Sequence, residues 1–218
     1  MLTRLIAATT FAALIGAAAI ADETKDIAKV EPYEIKRLII GKQIVIDKAY
    51  AEKNKVAEPT PFKITIPTGE DFLTILDAKQ GGFLKVTFAT PDKEFLESIQ
   101  FVDMEVPTDL AENRTAVVAK LMSEQVFQNV TKGRADAKVL SIRETEVGGL
   151  GAVEVIGRVT EKDAGLLYVW IVGLPHPVQS RGTYAVATVH FTRRPMETDA
   201  DFAKTLAGRT LMSFAYSE

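Results

Sequence analysis

The sequence has only two imidazoles, His176 and His190, and an imidazole is the side chain best suited to binding a metal, relaying a proton or titrating near neutral pH. His176 stands in Leu174-Pro175-His176-Pro177, framed by two prolines in a connection expected at the surface. A rigid histidine there could make a recognition or metal contact. One ligand without a second His, Cys or acidic partner at a fixed spacing specifies no metal, and a plain surface loop is the alternative. His190 falls in a β-rich stretch with Val186 and Thr188 and reads as a hydrogen-bonded core residue.

Carboxylates come next, since a pair can divide acid and base roles when their environments separate the two pKa values. The groups are Asp92, Glu94 and Glu97, then Asp103 with Glu105, and Asp199 with Asp201. The first lies beside a Pro and a Lys and reads as a solvated helix start. The last suits the first turn of a helix, where negative charge meets the positive end of the dipole. None of the mature serines sits in a Gly-x-Ser-x-Gly elbow. Gly148-Gly149-Leu150-Gly151 lacks the helix that a dinucleotide-binding loop must open, so it reads as a hairpin tip. Arg193 and Arg194 could bind an anion, but adjacent residues of a strand point opposite ways. Tyr168 and Trp170 share one face of a strand by period-two counting, and Tyr184 lies on a neighbour. They line a ligand cleft or fill a core. The candidate ligand contacts are therefore His176, Tyr168, Trp170 and Tyr184, with no catalytic residue, metal ligand or cofactor assigned.

Composition narrows the classes further. The 218 residues carry 26 Lys plus Arg against 29 Asp plus Glu, 47% are hydrophobic, and there is no Cys. This excludes disulfide scaffolds, thiolate nucleophiles, Cys-ligated metals and a lipobox. The acidic balance gives no electrostatic reason to expect nucleic acid as a partner. Met1 to Arg4 is followed by an uncharged run, Leu5 to Ala21, ending Ala19-Ile20-Ala21 before Asp22 and Glu23. One positive charge, an apolar middle and small residues before a cut predict a signal peptide cleaved after Ala21. An uncleaved membrane anchor is the alternative reading. Without a twin-arginine pair the general secretory route is expected, with a periplasmic or secreted product, no membrane span after cleavage, and a bacterial setting, since Cys is absent.

Residues 22–61 read as an N-terminal arm and linker: a small hairpin around Gly41-Lys42-Gln43, with a helix over Glu31 to Ile40 as the competing reading, and then the polar stretch Ala51 to Pro61. Residues 62–218 read as one α+β domain. Phe62 to Pro67 alternates as a strand, and Phe72 to Leu76, Phe83 to Phe88 and Phe101 to Val106 follow as apolar stretches. Asp109, three residues before Glu112, caps a helix whose apolar face includes Val117, Val118, Leu121, Met122 and Val126. Ala137 to Arg143, Ala152 to Val159, Leu166 to Val172 and Tyr184 to Phe191 are joined by short glycine-bearing turns that favour an antiparallel meander. Leu166 to Val172 has no polar face, so both its sides must be covered. The covers expected are the Asp109 to Val126 helix and a second one, Asp199 to Leu206, capped by Thr198 and ended by Gly208, before a last strand Leu211 to Phe214.

The entry strand Phe62 to Pro67, the meander with turns at Gly148-Gly149 and Asp163 to Gly165, and the closing Phe202 to Leu206 helix together resemble the PsbP-like family and its relative, the Ran-binding Mog family, over about residues 62–216. The resemblance implies an antiparallel sheet sandwiched between helices, and a non-enzymatic accessory or binding role. The expectation is an exported, soluble binding or accessory protein of the bacterial cell envelope, with an unknown protein or small-molecule partner. Two alternatives stay open. One is a hydrolase whose carboxylates converge in space, with Asp103, Glu105 and His176; the other is an assembly component whose Tyr33 to Ile46 arm adds a strand to a partner's sheet.

Overall fold

The structure, a computed structural model, describes residues 30–78, 81–106 and 114–217; the expected leader, the Asp109 to Glu112 cap and Asn113 lie outside them. The chain enters its fold through β1, Ile39–Ile46, one continuous strand where a hairpin was expected. Gly41 is the reason. It occupies a bulge in the antiparallel pairing of β1 with β2, Phe62–Thr68, where a Cβ would stand 1.3 Å from the Ile66 carbonyl oxygen. A glycine that permits close approach of two backbones was read as a turn.

Part of the expected linker is helix α1, Lys48–Asn54, whose N-cap Asp47 accepts from the Tyr50 amide at 2.8 Å. Residues Glu31 to Glu218 form one compact unit, so the expected arm supplies β1 and α1 to it. The strands β3, Leu73–Asp77, β4, Leu84–Ala89, and β5, Phe95–Glu105, follow. Helices α2, Arg114–Lys120, and α3, Phe127–Thr131, are continuous through a π-helical segment, Leu121–Val126. The meander is then β6, Ala135–Val147; β7, Leu150–Glu161; β8, Gly165–Pro175; and β9, Arg181–His190.

These strands make a seven-stranded antiparallel sheet, ordered β3-β4-β5-β9-β8-β7-β6. The fold is mixed α and β, dominated by this sheet. Alternation along β8 divides its side chains between two cores. Leu167, Val169 and Ile171 join Val118, Met122 and Phe127 of the α2 to α3 helix. Trp170, Val172 and Leu174 join the other core, with Phe62 and Ile64 of β2 and with Phe202, Leu206 and Leu211. Both faces of the apolar strand are thus buried, as expected, but on the second face helix shares the cover with a three-stranded sheet ordered β1-β2-β10, where β10 is Ala215–Tyr216.

The C-terminal segment departs from expectation in detail. Asp199–Lys204 is a 3-10 helix closed by a capping box between Thr198 and Asp201. Leu206–Met212 is helix α4, capped by the Thr205 hydroxyl, which accepts from the Gly208 amide at 2.9 Å. Gly208 therefore lies inside a helix instead of ending one. It is needed because a Cβ would meet the Phe202 carbonyl oxygen at 1.7 Å. Of the expected strand Leu211 to Phe214, Leu211 and Met212 end this helix, Ser213 is its C-cap and Phe214 follows it; the last strand is the short β10, Ala215–Tyr216, against β2. Leu211 and Phe214 are apolar because they face the core. Among the described residues no helix is long and apolar enough to cross a membrane.

Candidate functional site

The loop from His176 to Ser180, between β8 and β9, is held by an unusual number of fixed contacts. The His176 amide donates to the Arg181 carbonyl at 3.0 Å and closes the hairpin. The amides of Val178 and Gln179 donate to His176 Nδ1 at 3.3 and 3.2 Å. An imidazole that accepts on Nδ1 is neutral and carries its proton on Nε2. Arg114, at the start of α2, donates Nη2 to the Gln179 carbonyl at 2.6 Å and Nη1 to the Pro177 carbonyl at 3.4 Å. Just past β5, the Val106 amide donates to the Ser180 carbonyl at 2.8 Å.

Beneath the loop the His176 ring meets the Tyr216 ring edge-on, with centroids 4.7 Å apart, and the Tyr216 hydroxyl donates to the Leu174 carbonyl. Burial pushes the Tyr216 phenol up to about 12. Burial first, and the Arg114 charge second, hold the His176 imidazole below its ordinary 6.5. That shift suits a ring whose neutral form is the hydrogen-bond acceptor. The apex itself is bare: Val178 is 81% exposed.

A second polar arrangement is buried. Glu97 of β5 is completely inaccessible, and its position in a strand overturns the reading of Asp92, Glu94 and Glu97 as a solvated helix start. Its Oε1 accepts from Arg194 Nε at 2.7 Å and its Oε2 from the Ala207 amide at 2.9 Å. Burial raises the Glu97 carboxyl, opposed by the Arg194 guanidinium and by the Ala207 and Leu206 amides. Arg194 Nη1 goes on to the Tyr33 carbonyl at 2.9 Å, and the Tyr33 amide donates to the Arg193 carbonyl at 2.7 Å. Arg193 takes Glu94 instead, at 2.8 Å. The two arginines follow the end of β9 and serve different carboxylates, so they form no anion clamp. One brace thus ties β5, the segment after β9, α4 and the Tyr33 backbone together, under a cleft of about 620 Å³ lined by Tyr33, Ile35, Leu38, Met196, Lys204 and Arg209 among others.

Glu154 is the other buried carboxylate among the described residues; it accepts from Trp170 Nε1 at 2.8 Å and from Arg143 Nε, and Arg143 also lies 3.7 Å from Asp199.

The four sequence-derived ligand contacts are not brought together. Trp170 is buried against Phe202, with centroids 5.0 Å apart, and Tyr168 packs on Phe191 and Phe202. Tyr184 is on the adjoining strand β9 but belongs to the opposite core, beside α2, because it pairs with Gly173 in the register. His176 is at the hairpin tip. His190 is buried, with Nδ1 accepting from the Arg193 amide at 3.3 Å. Of the hydrolase set, Asp103 holds Arg181 Nη2 at 3.1 Å with both oxygens, while His176 Nδ1 faces its own loop. Among the described residues no group of three His, Asp or Glu is placed to hold a metal ion. Sequence reasoning missed Arg114, Tyr216 and the Glu97 with Arg194 brace, whose partners stand 42 to 110 residues apart with no local motif to announce them.

No family model matches the chain, and no curated protein matches it. Among solved structures it is similar to the cyanobacterial PsbP of Synechocystis, at 13% identity and a TM-score of 0.47, covering 88% of this chain and 99% of that one. It is similar to LpqN, involved in cell envelope biogenesis of Mycobacterium tuberculosis, at 12% identity and a TM-score of 0.45, covering 79% and 87%. The Saccharomyces cerevisiae Ran-binding protein Mog1p matches at 12% identity and a TM-score of 0.36, covering 70% and 89%. The resemblance to the PsbP-like and Mog proteins is thus a weak one of fold.

Proposed function

We propose that the protein is an exported, soluble binding or accessory protein of the bacterial cell envelope, and that it engages a protein partner through the hairpin tip at residues 175–181. The observation that carries the reading is a loop fixed by six hydrogen bonds, with the apolar Val178 held out to solvent. A loop already ordered in its bound shape loses little entropy on docking, which is how rigid recognition loops reach useful affinity from small areas. A role in binding also fits the carboxylates, since Glu97, Glu154 and Asp103 each hold a fixed arginine. Such a group acts as a base only after giving up its partner. The leader at residues 1–21 supports export, with the mature chain beginning at Asp22. We read the large sheet as sandwiched between the α2 to α3 helix and the C-terminal helices. Strand addition by the arm would have to use the outer edge of β1, because its other edge is paired with β2.

Two measurements test this. Cell fractionation with N-terminal sequencing should find a chain starting at Asp22 outside the cytoplasm; a chain retaining Met1 in the cytoplasm removes the export reading. A photo-crosslinking amino acid at position 178, introduced in the native host, should give a discrete protein adduct, whereas the same group at the exposed helical position Gln128 should not. The same bands from both positions, or none from either, overturn the role of the tip.

A further inference from the structure

Three large apolar side chains left substantially exposed, Leu38, Ile39 and Met212, line one groove of about 490 Å³ between the start of β1 and the end of α4. Exposed hydrocarbon gathered in a concavity, and not scattered singly, marks a binding surface, and the volume falls in the small-molecule range. Arg209 is the single charged residue in its lining. Its Nε donates to the Lys204 carbonyl at 3.2 Å, and among the described residues no carboxylate pairs with it. The groove continues past Leu38 and Arg209, which it shares with the cleft above the Glu97 brace.

We propose that this groove binds a free, single-chain anionic amphiphile, its head group on the Arg209 guanidinium and its alkyl chain along Leu38, Ile39, Pro67 and Met212. The polar groups of the lining favour this class over a peptide. The Thr65 amide is taken by Ser213 Oγ at 2.7 Å, and that hydroxyl is itself turned to the carbonyls of Thr210 and Thr65 at 2.7 and 3.3 Å. The Thr65 amide is thus closed to a peptide laid across it, and a peptide carbonyl buried there without a donor is costly. An alkyl chain makes no such demand, and a guanidinium offers a carboxylate or sulfate a forked, charge-assisted contact. A lone cation also argues against a membrane surface, which is held by clusters of basic side chains.

The test is calorimetric titration of the full chain with sodium laurate below its micelle concentration, with dodecyl maltoside and dodecyltrimethylammonium as neutral and cationic matches. Laurate should bind at one site, about tenfold or more tighter than either match, the margin of a charge-assisted contact. Arg209→Gln should weaken laurate by about tenfold, Arg209→Lys should retain most of the affinity, and Met212→Asp should abolish it. Gln128→Ala, at an exposed position of α3 outside the groove lining, should leave it unchanged. Trp170 fluorescence and a thermal melt verify that each variant is folded. Equal binding of laurate and maltoside, laurate binding indifferent to Arg209→Gln in folded protein, no laurate binding, or binding only to anionic phospholipid vesicles would each overturn the proposal.

Discussion

The Glu97 brace and the hairpin tip both rely on an arginine, to opposite ends. Arg194 compensates a carboxylate that has no access to water, so the contact is required for the fold around it. Arg114 reaches two neutral carbonyls at the rim, where water could replace it, so what it supplies is order more than stability. The difference separates a part of the molecule that must be satisfied from a part that has been held still at the surface.

Substitutions should widen or collapse this contrast. Arg194→Ala leaves the Glu97 charge buried and uncompensated, and should lower stability by about 3–5 kcal/mol in urea denaturation. Glu97→Gln, which keeps shape and loses the charge, should cost less, about 1–3 kcal/mol. If Arg194→Ala proves as mild as a surface change, the brace is not what ties Tyr33 and α4 to the sheet. His176→Ala removes the acceptor of two amides and should cost about 1 kcal/mol while loosening residues 177–180, read by faster amide exchange there and unchanged exchange in β8 and β9.

Acidification should act on the tip in the same way. The folded imidazole binds its proton less readily than the ordinary 6.5, so the unfolded chain takes up protons first as pH falls. The stability His176 contributes is therefore present above 6.5 and lost as pH drops through the folded value. A protonated Nδ1 cannot accept, so the Val178 and Gln179 amides should be released over that window, and His176→Ala should erase the pH dependence of their exchange. The smallest effect on stability belongs to Val178→Asp, within about 0.5 kcal/mol, although it should remove partner crosslinking from neighbouring tip positions.

The contrast also explains what could be read from the sequence. The meander was legible because short turns such as Gly148-Gly149 and the uninterrupted apolar run of β8 are local signals. His176 was visible for the same reason, between its two prolines. Glu97 was not, because its neighbours Asp92, Lys93 and Glu94 are charged and its partner Arg194 is distant in the chain. Gly41 and Gly208 misled because close backbone approach and turn formation demand the same residue. Leu211 to Phe214 misled because four largely apolar residues suit the end of a buried helix as well as a strand. Contacts made across the sheet, Arg114 to the tip among them, have no trace in periodicity.

Backbone nitrogen relaxation of the full chain at neutral pH measures the central claim most directly. Order parameters for Val178 and Gln179 near those of the rigid strands, about 0.85, are the predicted result. Values below about 0.6 at those two residues, with rigid strands on either side, would contradict it, because a loop that samples many shapes is not held in one for a partner.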